Sequence, residues 1–169
     1  MQIRDRIVEL RRVRADQLLP NPKNWRTHSD AQRDAMRGIL AEVGYAGAAL
    51  AYETKAGLQL IDGHLRAETT PEALIPVLIL DVTEKEAEKI LATYDPLAAM
   101  AGADATKLAA LQARIKTNSD ALREMLGAVA VAAGLVDPPD APEDFPTVDE
   151  TIPVNCQCPK CGYEWSDGN

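Results

Sequence analysis

The sequence predicts an α+β fold: a small mixed sheet with helices, followed by a helical annex and a cysteine-rich tail. Two patterns predict the first two parts. Short apolar runs bounded by turn residues alternate with amphipathic stretches up to about residue 95, and a segment rich in alanine and leucine follows them. The third observation is that all three cysteines lie within "CQCPKC" at 156–161. Aromatic residues make up only 4% of the chain, so its core must be aliphatic.

The first elements follow from apolar spacing and turn chemistry. The run "IVELRRVRADQLLP" predicts an opening strand, and the prolines of "LPNP" predict a rigid loop after it. "SDAQRDAMRGILAEVG" predicts an amphipathic helix that begins at a Ser29 or Asp30 cap and ends at Gly44. The expected apolar face of this helix consists of Met36, Ile39, Leu40 and Val43.

The signals that follow are those of a hairpin and a buried strand. "AALAYE" and "LQLIDG" predict two strands joined through "TKAG", and a helical turn is expected from Gly63 to about Thr70. "IPVLILDV" is a continuous apolar run, which is typical of a strand buried on both faces.

Helices dominate from Thr83 onward. Thr83 and Glu86 form a capping box at the start of "TEKEAEKILATYD". "DATKLAALQARIKTN" and "SDALREMLGAVAVAAGL" predict a helical hairpin whose small-residue faces suit helix packing or a homodimer seam. The predicted organisation is a body at 1–95, an annex at 96–135, an acidic proline-rich linker at 136–153 and the tail at 154–169.

Charge and composition restrict the setting. Residues 1–37 hold nine Lys/Arg and five Asp/Glu, whereas the whole chain has a net charge of −8. DNA, if bound, would therefore meet the N-terminal third, although the same arginines could form an ordinary solvated face. No apolar stretch is long enough to span a membrane and no signal-peptide core is present, so we expect a cytoplasmic protein. The clustered cysteines favour a metal over disulfides.

The stretch "IDGHLR" places an acid, a glycine, a histidine and an arginine where a strand enters a helix. Such a turn presents backbone N–H groups to an anion, and Arg66 could add bidentate donors. Asp62 could hold a metal or accept a proton, and His64 could act as base, acid or ligand. The alternative is a tight structural turn with a hydrogen-bonded aspartate.

The segment from about Val8 to Asp95 resembles the ParB/sulfiredoxin superfamily. Four pieces carry the resemblance in order: "LLPNPKNWRTH", "AMRGILAEVGY", "LQLIDGHLRAE" and "IPVLILDVTEKEAEKIL". Together with "LATYDPLAAMAGAD", they look most like small members carried by phages and mobile elements, often near DNA-modification genes. The resemblance implies the superfamily fold and nucleotide-phosphate binding at the signature turn.

Carried over by position, Gly63 matches the turn glycine and Arg66 the phosphate-binding arginine. Arg26 matches the arginine of the proline loop that faces the nucleotide, and Asn24 and His28 are expected beside the same pocket. His64 stands where sulfiredoxin has its catalytic cysteine, which excludes that chemistry. The kinase-like form of the turn has a second histidine where this chain has Leu65, and the annex lacks a base-reading surface typical of partition proteins.

The tail resembles half of a zinc ribbon. Cys158 and Cys161 have the spacing of a zinc knuckle, Gly162 follows them, and Cys156 adds a third thiol. A fourth ligand would come from a second copy, a partner or water, because Asp167 would be a poor ligand. The alternative is a frayed tail with reduced thiols.

Three functional hypotheses follow. The first is a protein that binds an NTP with Mg²⁺ in DNA metabolism, with Asp62 and His64 as candidate catalytic residues of an NTPase or phosphotransferase. The second is a metal-dependent nuclease in which Asp62, His28 and His64 gather Mg²⁺. The third is a non-catalytic dimeric adaptor whose zinc knuckle docks a DNA-modifying enzyme.

Overall fold

The computed structural model describes residues 2–137 and 156–165, and the predicted linker lies almost wholly outside these residues. The chain divides into two compact units, 1–137 and 138–169. The elements of the first unit are β1 (Ile7–Arg14), α1 (Asp30–Glu42), β2 (Ala49–Thr54), β3 (Gly57–Asp62), α2 (His64–Thr69), β4 (Leu74–Leu80), α3 (Glu84–Ala99), α4 (Ala105–Gln112) and α5 (Asp120–Ala132). The second unit contains the short strands β5 (Cys156–Gln157) and β6 (Glu164–Trp165).

The four long strands form one mixed sheet in the order β1-β4-β2-β3. β1 runs antiparallel to β4, β4 runs parallel to β2, and β2 and β3 form the predicted hairpin. β2 and β4 lie inside the sheet, which explains their nearly continuous burial. The predicted α+β fold is therefore confirmed.

Both faces of the sheet carry an aliphatic core. On one face, Ala67 of α2 joins the buried strand residues Val13, Ala49, Ala51, Leu60, Ile75, Val77 and Ile79. On the other face, Ala87 of α3 joins Leu50, Tyr52, Ile61 and Leu80. Residues of β3 alternate between the two cores, since Leu60 and Ile61 are each 2% exposed. This double burial fixes the end of β3, where the candidate site lies.

Two boundaries differ from the sequence-based expectation. β1 ends at Arg14 and a 3₁₀ turn at Ala15–Gln17 follows it, because the Ala15 and Asp16 N–H groups donate to carbonyl groups before β4. α3 continues past the expected end near Asp95 and through Pro96 to Ala99. Proline has no N–H, so Pro96 removes one backbone hydrogen bond from the helix. Only a single turn of α3 follows it.

The helical annex packs back on the body through α5 and α1. A Cβ atom added at Gly38 of α1 would lie 2.4 Å from Ser119 Oγ, so the two helices meet where α1 has no side chain. The Glu42 carboxylate accepts from the Thr117 hydroxyl at 2.7 Å and the Asn118 N–H at 2.9 Å. These two donors lower the pKa of Glu42.

The apolar face expected on α1 is only partly covered. Ala35 is buried, but Ile39 is 37% exposed and Val43 is 65% exposed. Ser29 rather than Asp30 caps the helix, since its side chain accepts from the Gln32 N–H. No helix in 2–137 combines the length and apolar character that crossing a bilayer requires.

Candidate functional site

A polar cavity of about 200 Å³ lies where β3 ends and α2 begins. Its wall contains all seven residues that the sequence singled out in the body: Asn24, Arg26, His28, Asp62, Gly63, His64 and Arg66. Gln32 and Met36 from α1, Leu91 and Asp95 from α3, and the apolar side chains of Ile61 and Leu65 complete the wall. The proline loop and the signature turn, about forty residues apart in the chain, therefore face one space.

Gly63 forms the turn between β3 and α2. Its φ of 91° lies in the left-handed region, which residues other than glycine adopt only at a cost in free energy. An added Cβ would also lie 2.7 Å from the Ala49 Cβ and 3.0 Å from its Cα. Both the backbone conformation and the close approach to β2 therefore require glycine here.

His64 is buried, with 7% of its surface exposed, and belongs to a hydrogen-bonded link with the proline loop. Its Nε2 accepts from the Asn21 N–H at 3.2 Å. Nδ1 therefore carries the proton of the neutral ring. Burial lowers the pKa of His64 because it penalises the charged imidazolium, while nearby Asp62 and Glu68 act in the opposite direction.

Asn21 is a structural anchor of the site that sequence reasoning did not identify. Its side-chain Nδ2 donates to the Leu60 carbonyl at 3.1 Å, and its Oδ1 accepts from the Lys23 N–H at 3.0 Å. It is 7% exposed, so these bonds compensate for the burial of its amide. A polar residue fixed between Pro20 and Pro22 was the signal in the sequence.

Arg66 is the third residue of α2 and lines the cavity. Its Nη2 is 3.8 Å from Asp62 Oδ2, which is a long ion pair, and its side chain is 27% exposed. Nη1 is buried and has no hydrogen-bond partner within 2–137 and 156–165. A buried N–H without an acceptor is costly, so this atom is suited to meet an anionic oxygen.

Arg26 approaches the cavity from the proline loop. Its guanidinium carbon lies 5.0 Å from the centre of the Trp25 ring, a cation–π contact that orients the side chain. Its Nε is 2.9 Å from Asp95 Oδ2, but the N–H is not directed at that oxygen and makes no hydrogen bond to any described residue. Asp95, which sits in "YDPL", was not recognised as a site residue from the sequence.

His28 and Gln32 form the outer part of the wall. His28 Nδ1 lies 3.1 Å from Gln32 Oε1, and with this oxygen as acceptor Nδ1 is the donor. The remaining nitrogen, Nε2, then carries a lone pair.

The cavity wall thus contains two guanidinium groups, those of Arg26 and Arg66, and two carboxylates, those of Asp62 and Asp95. A bound anion would place negative oxygens near Arg26 and Arg66, and Asp62 offers one hard oxygen ligand of the kind Mg²⁺ takes beside phosphates. Within the described residues, no group of three or more His, Cys, Asp or Glu could hold a metal. Asp62, His28 and His64 do not form the three-ligand Mg²⁺ site that the nuclease hypothesis requires.

No protein-family model and no curated protein matches the sequence. A solved structure does match: the C-terminally truncated chromosome-partitioning protein ParB from Caulobacter crescentus, complexed with CTP-γ-S. The match has a TM-score of 0.54 at 13% identity and covers 76% of this chain and 89% of that chain. The fold is ParB-like. This finding confirms the architecture implied by the four sequence pieces.

The basic N-terminal third is largely neutralised by nearby acids. Eight of its nine Lys/Arg side chains form ion pairs, among them Arg6 with Glu86 and Lys23 with Glu84 and Glu88. The others in pairs are Arg4, Arg11, Arg14, Arg26, Arg33 and Arg37. Arg12 is exposed and has no acidic partner in the described part of the chain. Most of these side chains therefore lie in surface regions of mixed charge, and DNA binding by this third of the chain stays a prediction.

The tail contains a backbone turn that runs from Cys158 to Tyr163. The Gly162 N–H donates to the Cys158 carbonyl at 2.9 Å, and the Cys158 N–H donates to Tyr163 O at 2.8 Å. Backbone N–H groups of Lys160 and Cys161, with the Cys161 thiol, lower the pKa of Cys158. Cys156 lies opposite Trp165 in the β5–β6 ladder, and within 2–137 and 156–165 no three or more His, Cys, Asp or Glu side chains form a group that could hold a metal. Asp167 lies outside the described residues.

Proposed function

We propose that the chain binds a nucleoside triphosphate through its phosphates in the polar cavity. The observation that carries the proposal is Arg66 Nη1, a buried guanidinium nitrogen of a wall residue that has no hydrogen-bond acceptor among the described residues. A charge-assisted bond to phosphate would satisfy this nitrogen, and Arg26, whose Nε lies 2.9 Å from Asp95 Oδ2, adds a second positive charge to the wall. The ParB-like fold supports the same reading, since the matched ParB is complexed with a CTP analogue.

Four residues of the wall have distinct roles in this proposal. Arg66 and Arg26 bind phosphate oxygens, and Gly63 lets the backbone approach them closely. Asp62 binds Mg²⁺ together with the phosphates. The metal ion then neutralises the part of the phosphate charge that the two arginines do not. α2 has only six residues, so its N-terminus adds little and the arginines dominate.

The two histidines differ in what they can do. His64 uses its Nε2 lone pair to accept from Asn21, so it acts as an Nδ1–H donor to a phosphate oxygen rather than as a general base. His28 keeps a lone pair on Nε2 when Nδ1 donates to Gln32. If the bound nucleotide reacts with water or another nucleophile, His28 is therefore the better proton acceptor.

The test is calorimetric titration of the full chain with CTP, ATP, GTP and UTP in the presence of Mg²⁺. We expect micromolar binding of at least one nucleotide. Arg66→Ala should weaken it about 10- to 100-fold, the loss expected for charge-assisted hydrogen bonds. Arg12→Ala is the matched control, because it removes an exposed arginine away from the cavity.

Two results would contradict the proposal. Absence of binding by every nucleotide would leave the adaptor hypothesis as the better account. Equal losses in Arg66→Ala and Arg12→Ala would show that affinity reflects overall charge rather than the cavity. Product analysis of the binding nucleotide then separates hydrolysis or phosphoryl transfer from binding alone.

For the tail, we propose that Cys158 and Cys161 form a two-thiolate zinc pair that a second copy or a partner completes. The backbone donors to Cys158 support this, because they stabilise a thiolate in the manner of zinc knuckles. Cobalt titration tests it: the thiolate-to-metal absorption should disappear in Cys158→Ser and persist in Cys156→Ser. Equal loss in both variants would instead assign all three cysteines to the site.

A further inference from the structure

A second, apolar pocket of about 520 Å³ lies between α1, α2, α5 and the segment before α5. Of the ten residues that line it, Gln32 is the only one with a polar side chain. The lining includes Ala35, Ile39, Ile115, Leu122, Met125 and Leu126. This is a size and composition typical of small-molecule sites, which span roughly 300–1,000 Å³ and are mainly apolar.

The apolar pocket adjoins the polar cavity. Gln32, Met36 and Leu65 line both spaces, so no more than these three side chains separate them. Met36 is an unbranched side chain that changes shape readily, and the Gln32 side chain accepts a hydrogen bond from His28 Nδ1 at 3.1 Å. Together the two spaces present guanidinium groups at one end and an aliphatic surface at the other.

The sizes of the two spaces indicate how a ligand would divide between them. At about 200 Å³, the polar cavity is smaller than ordinary ligand sites and is suited to phosphate groups rather than to a whole organic molecule. The remainder of a ligand must lie outside this cavity. The adjoining pocket offers it apolar contact but almost no hydrogen-bonding groups.

We propose that the two spaces form one bipartite site for an anion with an apolar body, such as the phosphate ester of a long alkyl or aromatic group. The head group would bind Arg66 and Arg26, and the body would pass Met36 into the pocket between α1 and α5. This inference rests on the proposed function only in assigning phosphate to the arginines. A nucleotide would bind the same arginines without filling the apolar pocket.

The test compares octyl phosphate, inorganic phosphate and CTP by calorimetry on the full chain, with octyl phosphate kept below its micelle concentration. Octyl phosphate should bind at least about tenfold more tightly than inorganic phosphate, because its methylene groups leave water. Met125→Glu should remove this gain, since it places a carboxylate in the apolar lining at a side chain that is 42% exposed. Met100→Glu, at a residue that is 80% exposed and outside the pocket, should retain it.

The outcomes separate the two proposals. CTP binding with no gain from the alkyl chain, or a gain that survives Met125→Glu, would overturn the bipartite site and leave nucleotide binding intact. A gain that Met125→Glu removes, without any CTP binding, would support the bipartite site and reject the nucleotide. Loss of the gain in both methionine variants would overturn the site, because the effect would then follow from added negative charge alone.

Discussion

At the residue scale, Gly63 combines a left-handed backbone conformation with a position in the wall of the candidate site. Gly63→Ala must place a side chain at φ 91° and within 3.0 Å of the Ala49 Cα. We expect a loss of about 2–4 kcal/mol in unfolding free energy, from left-handed strain and overpacking together. Urea denaturation measures it. Gly102→Ala is the control, because a Cβ there meets no atom within 4 Å; similar losses in both variants would refute the argument.

His64 provides a pH dependence whose sign follows from its burial. Burial lowers its pKa below 6.5, so the unfolded chain takes up a proton before the folded chain does. The contribution of the neutral His64 ring to the free energy of unfolding is therefore fully present above about pH 6.5. It falls as the pH drops towards the pKa of His64 in the folded state. Protonation would also remove the acceptor that Asn21 uses.

Unfolding free energies at about pH 7.5 and 5.5 test this difference. The wild type should lose stability at the lower pH, and His64→Gln should flatten the change. A steeper or unchanged slope in His64→Gln would show that other groups set the dependence.

At the scale of elements, the contact between α1 and α5 holds the annex on the body. Gly38→Ala would force Ser119 away, and Ser119 Oγ caps α5 by accepting from the Leu122 N–H at 3.2 Å. The expected loss of the cap and its packing, about 1–2 kcal/mol, exceeds the gain in helix propensity, which is no more than about 1 kcal/mol. Gly38→Ala should therefore be destabilising.

Gly127→Ala is the matched change on α5. A Cβ there lies in open space, so only the propensity gain applies and stability should rise by about 0.5–1 kcal/mol. Thermal unfolding of the two variants separates the effects by sign. If both substitutions stabilise the protein, Gly38 is not required for the approach of the two helices.

Elements whose signals are local could be predicted from the sequence. The Thr83 and Glu86 capping box, the β2–β3 hairpin and the turn at Gly63 each depend on residues a few positions apart. The placement of Asn21 against His64, and of Asp95 against Arg26, could not be predicted. Those contacts depend on how the proline loop crosses β3 and packs beside α3, and no local pattern encodes either.

At the scale of the whole molecule, both pockets and every residue proposed to bind a nucleotide lie within the unit 1–137. A chain ending after Asp137 should therefore keep a cooperative unfolding transition and the same nucleotide affinity as the full chain. Binding to the folded state alone stabilises a protein by about 2.7 kcal/mol when the ligand is at one hundred times its Kd. The shortened chain should show this full increment with the nucleotide that binds best.

Thermal unfolding with and without nucleotide measures the increment in the full and shortened chains, and the Arg66→Ala form of each serves as its control. Equal increments in the two chains, absent from both controls, would place nucleotide binding in the first unit alone. A cooperative shortened chain that gains nothing from nucleotide would assign part of the binding energy to residues 138–169. An increment that survives Arg66→Ala would locate the phosphate elsewhere than in the cavity at the end of β3.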